Sequence, residues 1–229
     1  MPEYSPVLAV VTGVLEFMAA AWTLRSSGRK RILFPVGLLF LLLAGYQFAE
    51  VAVCANPGRR IFAQLAFFDI TWLPPLAMWL AYQLYPRRSR GIKGTVLAYF
   101  LWAVVLNLWL LLDPGAISKS VCEMVIARFS HSSAFDVAYG IYYQSGLALV
   151  VFGAAAGLAA SGDPVLRKHL AGLQAGVLGF VLPSLLLRLL FPEPAGILPS
   201  VMCHLAVVLA VFLIFLVRRE RRLVRDIPG

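Results

Sequence analysis

Seven long apolar segments constrain this sequence more than any other feature. Each is long enough, or nearly so, to cross a hydrocarbon core about 30 Å thick. In lipid the backbone must satisfy its own hydrogen bonds, which favours helices, and the segments lack the alternation of barrel strands. We therefore predict an all-α polytopic membrane protein, in which residues 1–229 form one transmembrane domain. The predicted spans are 7–24, 32–54, 61–85, 95–112, 137–160, 170–191 and 198–217.

The composition agrees with a membrane protein and argues against a soluble one. Only 14% of the 229 residues are charged and 61% are hydrophobic, whereas a soluble domain has about a quarter of its residues charged. The net charge of +9 would suit nucleic acid only if it formed a basic face, but the basic residues lie in short loops. We predict the lipid bilayer as partner and no nucleic acid.

The loops alternate in charge, which predicts an orientation. Few basic residues occupy one set of loops, namely Arg59, Arg60, Lys119 and Arg128. The other set of loops is rich in basic residues, and by the positive-inside bias it is cytoplasmic. The N-terminus then lies on the outer side of the inner (plasma) membrane and the C-terminus on its cytoplasmic side. The richer set consists of Arg25, Arg29, Lys30, Arg31, Arg87, Arg88, Arg90, Lys93, Arg167, Lys168, Arg218, Arg219, Arg221, Arg222 and Arg225.

Two of the three cysteines fall on the predicted outer side. Cys54 ends the second span and Cys122 lies in the loop 113–136, so a disulfide between them is allowed, with two free thiols as the alternative. Cys203, inside the seventh span, is typical of a small apolar filler. The same loop has apolar residues at helix-like spacing, which predicts a short amphipathic surface helix. These are Ile117, Val121, Met124, Val125 and Phe129.

Ionisable and amide side chains inside the spans mark the candidate site, because such groups are costly in hydrocarbon. Counted along each span, they all fall in the outer half, whereas a channel would be polar along its whole length. Pro74 and Pro75 should kink the third span and free carbonyls there. We predict a polar ligand pocket open to the outside, formed by Glu16, Gln47, Glu50, Asp69, Arg188 and His204.

Each of these residues also has a purely structural interpretation. Arg188 would snorkel to the headgroups or pair with Glu50 or Asp69. Glu16 would be protonated and bonded to a neighbouring helix, and His204 would fix helix packing. Three tyrosines at the start of the fifth span are typical of an interfacial aromatic belt: Tyr139, Tyr142 and Tyr143.

Three segments carry a family resemblance: GYQFAEVAVC, FFDITWLPPLAMWL and PSVMCHLAVVLAVF, from the second, third and seventh spans. They resemble small bacterial seven-helix membrane proteins of unknown function, and loosely the seven-helix sensor region that precedes some histidine kinases. The resemblance implies a helical bundle and a role in sensing. We expect no output domain after the seventh span, which differs from the kinase-linked type and would leave the output to a cytoplasmic or membrane partner.

The function that we favour is therefore a receptor-like bundle that binds a small ligand from the outer side. One alternative is an intramembrane enzyme that uses Glu50, Asp69 and His204 as acid, base or metal ligands. A scaffold or assembly factor is the other. We predict no cofactor and no metal, because no lysine lies within a span to hold retinal and adjacent Cys203 and His204 point about 100° apart on a helix.

Overall fold

The computed structural model describes residues 5–56, 58–86, 89–123, 126–190 and 198–225. Within them, seven helical stretches are long and apolar enough to cross a membrane, which confirms the predicted helical fold and is consistent with a multi-pass membrane protein. The elements in order are α1 (Val7–Arg25), α2 (Lys30–Ala55), α3 (Arg60–Ile70), α4 (Leu73–Leu84), α5 (Arg90–Leu112), β1 (Ile117–Glu123), β2 (Ile126–His131), α6 (Ser133–Ala160), α7 (Pro164–Leu190), α8 (Leu198–Leu205) and α9 (Val207–Arg225).

The two ends of the bundle differ. The end that holds β1 and β2, together with the α2–α3 connection, is called the hairpin end; the end that holds the α1–α2 and α6–α7 connections and the C-terminus of α9 is called the tail end. Among the most enclosed spans are Lys30–Ala55 and Arg60–Leu84, in which 61% and 67% of the 18-residue apolar stretch is buried, against 33% in Val7–Arg25. The central helices are therefore α2, α3 and α4, and they carry three of the predicted site residues.

The third span is broken at the predicted prolines. A turn at Thr71–Trp72 separates α3 from α4, and the prolines lie in the first turn of α4, where a missing N–H is tolerated. Because Pro75 cannot donate to Thr71, the Thr71 carbonyl accepts instead from the Tyr142 hydroxyl at 2.6 Å. Gly146, one turn along α6, gives room for Pro74: a Cβ there would lie 2.7 Å from the Pro74 Cβ. The break is thus closed by α6.

A second break divides the seventh span, and the sequence did not indicate it. A turn at Ala206 separates α8 from α9. The Ala206 N–H bonds both the Met202 and Cys203 carbonyls, at 2.9 and 3.2 Å, and the Gln47 Nε2 also donates to the Cys203 carbonyl at 3.3 Å. Both broken spans therefore have a loosened carbonyl covered by a side chain of a neighbouring helix.

The predicted surface helix in the loop 113–136 was wrong. Its described residues form an antiparallel hairpin in which Val121 pairs with Arg128 and Cys122 with Ala127, while Met124 and Val125 lie outside the described residues. Its buried residues include Ile117 of β1 and Ala127 and Phe129 of β2, the last two being two residues apart as the pleat requires. The helix-like spacing was misleading because a short apolar pattern fits both the helix period and the strand period. In addition, Ala127 is too small to be recognised as a core position from the sequence.

The hairpin is fastened over the end of the bundle. The predicted disulfide between Cys54 and Cys122 is present, with 5.6 Å between the two Cα atoms. The Ala127 N–H also donates to the Ser200 Oγ of α8 at 3.3 Å. Phe129 packs edge-on against Phe67 of α3, with ring centroids 5.2 Å apart. The hairpin is therefore tied to α2, α3 and α8, which include both helices that end at a break.

Candidate functional site

The polar stripe of α2 faces the interior. Gln47 and Glu50 are fully buried, and Cys54, one turn beyond Glu50, holds the hairpin. Glu50 interacts with the hydroxyl of Tyr46 on its own helix. Residues three and four apart share one side of a helix, so α2 presents its amide, its carboxyl and its disulfide along one line under the hairpin.

Asp69 lies on the last turn of α3, just before the break. Its carboxyl packs against the backbone of α2: a Cβ added to Gly45 would lie 2.6 Å from the Asp69 Oδ1. The other oxygen, Oδ2, is buried and has no hydrogen-bond partner among the described residues. Only glycine at position 45 lets the carboxyl lie so close to α2.

Glu16 is the most isolated carboxyl in the described part of the bundle. It is 2% exposed, and neither of its oxygens has a hydrogen-bond partner among the described residues. Gly13, one turn earlier on α1, packs on α2 so closely that a Cβ would lie 3.1 Å from the Gln47 Cβ. The helix therefore directs Glu16 toward α2.

Cys203 of α8 lies in the neighbourhood of the three carboxyls. Glu50, Glu16 and Asp69 all lie within electrostatic reach of its thiol, which is buried. Gln47 bonds the carbonyl of the same residue. We call Glu16, Gln47, Glu50, Asp69 and Cys203 the acidic cluster. Four of the six predicted site residues thus lie in one region of the bundle, together with Cys203, which was expected as a filler.

Three tyrosines of α6 lie in the interior of the bundle, near the two helix breaks beside Asp69 and Cys203. Tyr139, Tyr142 and Tyr143 are 8%, 0% and 8% exposed, so the aromatic-belt interpretation was wrong. Tyr139 and Tyr143 both interact electrostatically with Asp69 and Cys203, and therefore lie between the two broken spans. Sequence spacing could not reveal this, because a belt residue and an interior residue look alike at a helix end.

His204 is not joined to the carboxyls by any described contact. Its Nδ1 bonds the Ser200 carbonyl of its own helix at 2.8 Å, while its Nε2 is buried without a hydrogen-bond partner in the described part of the chain. The side chain of Arg188 lies outside the described residues. Among those that are described, no three His, Cys, Asp or Glu side chains form a group that could hold a metal ion.

Two helix C-termini lie beside the cluster. The C-terminal ends of α3 and α8 both point into the bundle from the hairpin end, next to Asp69 and Cys203, and a helix C-terminus carries partial negative charge. No ion pair reaches Glu16 or Asp69 from a described basic side chain. Buried polar atoms without partners call for an explanation, and here most of them are acceptors.

A second buried cluster, at the tail end, was missed by the sequence analysis. Glu220 of α9 is 1% exposed; it accepts from the Arg29 Nε at 2.9 Å and from the His169 Nε2 at 2.8 Å. The hydrogen bond to Glu220 raises the pKa of Arg29 further above its usual value. The available signal was Glu220 itself, the single acid among Arg218, Arg219, Arg221 and Arg222.

Comparison with known proteins adds no relative. No protein-family model matches the chain, and no curated protein matches it either. The functional interpretation therefore depends on the geometry.

Proposed function

We propose that this protein is a receptor-like seven-helix membrane protein that binds a small cationic ligand, such as an organic ammonium ion, at the acidic cluster. The observation that carries the proposal is that Glu16, Glu50 and Asp69 all lie within electrostatic reach of Cys203, next to two broken spans. Broken helices near the middle of a membrane are a recurrent way to build ion and substrate sites, and the C-terminal ends of half-helices favour cations.

The hairpin end would face outside, as the loop charges predict. The hairpin then covers the entrance to the cluster and is held by a disulfide that an oxidising compartment permits. Because Cys54 lies on the same stripe as Glu50, a ligand that displaces α2 would also move the hairpin. Such coupling suits a sensor that reports ligand to a partner protein.

The proposal predicts selective stabilisation by ammonium ions. Thermal melting of the purified protein in detergent would be followed with methylammonium, butylammonium or benzylammonium chloride, against sodium chloride and sodium benzoate of equal ionic strength. A ligand that binds only the folded state raises Tm, so we expect at least one ammonium ion to raise it by a few degrees, and the E16Q/D69N variant to lose that response.

The matched control is Asp163→Asn. Asp163 lies in the exposed α6–α7 connection and bonds the Val165 N–H at 2.8 Å, a cap that asparagine also supplies. D163N should keep the full ammonium response. An equal response in E16Q/D69N, or no ammonium response beyond that of sodium chloride, would contradict the proposal. Preferential stabilisation by benzoate would instead indicate an anion site, as expected if Arg188 dominated.

A further inference from the structure

A cleft of about 470 Å³ lies between α7 and α9 at the tail end, remote from the acidic cluster. Ala171 and Ala175 form one wall, while Phe212 and Phe215 form the other. Both alanines and Phe215 are exposed, so the cleft opens on the outer surface of the bundle. In a membrane this surface faces lipid.

Glycines in α7 determine where the cleft begins. A Cβ on Gly176 would lie 2.8 Å from the Leu209 Cδ1, and one on Gly179 would lie 2.6 Å from the Val208 Cγ1. A Cβ on Gly172 would lie 3.9 Å from its nearest neighbour, the Phe212 Cδ1, which is an ordinary contact distance. The two helices are therefore pressed together at Gly176 and Gly179 and separate toward the tail end. Small residues at helix contacts in membranes commonly allow such close crossings.

The tail end of the cleft is basic. Lys168 and Arg219 line it, and both are exposed. Arg219 donates to the Lys168 carbonyl at 3.0 Å, which ties the helices together there and leaves the Lys168 ammonium group and the other guanidinium N–H groups at the surface. The adjacent Glu220 does not offset this charge at the surface, because it is buried against Arg29 and His169.

His169 places a buried ring at the wall of the cleft. It lines the cleft and is 1% exposed. Its Nε2 must donate to Glu220, since a carboxylate only accepts. The buried Nδ1 has no hydrogen-bond partner among the described residues. In the neutral ring this atom accepts a hydrogen bond, for example from a headgroup hydroxyl, and in the charged ring it donates one, for example to a phosphate.

We propose that the α7–α9 cleft binds an anionic phospholipid from the leaflet at the tail end. The phosphate lies at Lys168 and Arg219, and one acyl chain follows the alanine and phenylalanine walls toward Gly176. An amphipathic, negatively charged occupant fits both halves of the cleft, and basic pockets between transmembrane helices are known to take anionic headgroups. The lipid site is independent of the acidic cluster and of its ligand.

Native mass spectrometry of the delipidated full-length protein would test this site. The protein would be titrated with phosphatidylglycerol or with phosphatidylcholine of the same acyl chains, and in a third arm with glycerol phosphate. We expect phosphatidylglycerol to bind more tightly than phosphatidylcholine, and glycerol phosphate to bind hardly at all. The variant K168Q/R219Q should bind phosphatidylglycerol about 10- to 30-fold more weakly, as expected for two lost basic contacts.

Two controls separate the cleft from general attraction to the basic tail. R218Q/R222Q removes the same charge from exposed positions outside the cleft and should bind as the unaltered protein does. Ala175→Phe fills the cleft and should abolish the preference for phosphatidylglycerol, whereas Ala156→Phe, on the exposed face of α6, should not. If K168Q/R219Q fails to fold, the comparison of A175F with A156F decides whether the lipid binds in the cleft.

Three results would overturn the lipid site. Equal weakening in R218Q/R222Q would show that the attraction is not localised. Equal binding of the two lipids would show that charge is not recognised. Binding of glycerol phosphate as tight as that of phosphatidylglycerol would indicate a free-phosphate site.

Discussion

Gly45 is the residue whose size most directly determines the acidic cluster. Alanine there would place a Cβ 2.6 Å from the Asp69 Oδ1 and 3.1 Å from its Cγ, so the carboxyl would have to move away from α2. In an open helical position the same change stabilises by about 0.5–1 kcal/mol, because alanine loses less backbone entropy than glycine. We predict that G45A lowers Tm by several degrees and removes the ammonium response.

The control for this prediction is Gly140→Ala in α6, where an added Cβ would meet nothing within 4 Å. G140A should melt at or above the temperature of the unaltered protein and keep its ammonium response. Identical melting of G45A and G140A would show that Asp69 does not depend on the close approach to α2.

At the scale of elements, the break between α3 and α4 depends on α6. Tyr142→Phe removes the hydroxyl that donates to the Thr71 carbonyl at 2.6 Å in a buried position. We predict a loss of about 1–2 kcal/mol in the free energy of unfolding, the cost of leaving a buried carbonyl without its donor. Unfolding in mixed micelles would measure it. Tyr85→Phe, at the C-terminal end of α4, should cost much less; equal losses would count against the role of Tyr142.

The hairpin should loosen in mild acid. His131, at the end of β2, is largely buried, and this burial lowers its pKa below the ordinary 6.5, although nearby Asp136 opposes the shift. Between the lowered pKa and 6.5 the unfolded state binds more protons than the folded state, so stability rises with pH in that window. The contribution of His131 to stability is complete above about pH 6.5 and is lost progressively as the pH falls.

The measurement is Tm against pH for the unaltered protein and His131→Phe, between about pH 7.5 and pH 5. Phenylalanine suits this position, because the His131 ring already lies 4.8 Å from that of Phe67, centroid to centroid. We expect the Tm of the unaltered protein to fall more steeply toward acid than that of H131F. Parallel curves would show that His131 does not carry the pH dependence.

The sequence predicted some of these elements and not others, for physical reasons. The spans were predictable because hydrophobic length is a strong signal, and the break at Pro74 was predictable because proline lacks an N–H. The break at Ala206 has no such residue, and the side chain that covers the Cys203 carbonyl there, Gln47, comes from another helix. The hairpin was missed because its apolar residues are few and fit a helical spacing as well, and the ring contact of Phe129 with Phe67 that holds it inward joins segments far apart in sequence.

The acidic cluster was predictable in part. Buried carboxyls in hydrocarbon are rare enough that Glu16, Glu50 and Asp69 stand out individually. Their convergence depends on side-chain directions across α1, α2, α3 and α8, which span lengths do not determine. The tail-end cluster was hidden for the opposite reason, since Glu220 lies within a basic run that looks like an ordinary solvated tail.

At the scale of the whole molecule, the proposed orientation has a direct test. Green fluorescent protein fused after Gly229 should fluoresce, because it folds in the cytoplasm, whereas alkaline phosphatase fused there should be inactive. Alkaline phosphatase fused after Gly58, in the α2–α3 connection at the hairpin end, should be active. The reverse pattern would place the hairpin inside and would contradict a site that opens to the outside.

The central claim is that the acidic cluster holds a cationic ligand between two broken spans. A density map of the protein in nanodiscs, prepared with and without the most stabilising ammonium ion, tests it most directly. We expect ligand density in contact with Glu16 and Asp69 beside Cys203, present only in the treated sample. Identical maps, with no added density beside Glu16, Asp69 and Cys203, would contradict it.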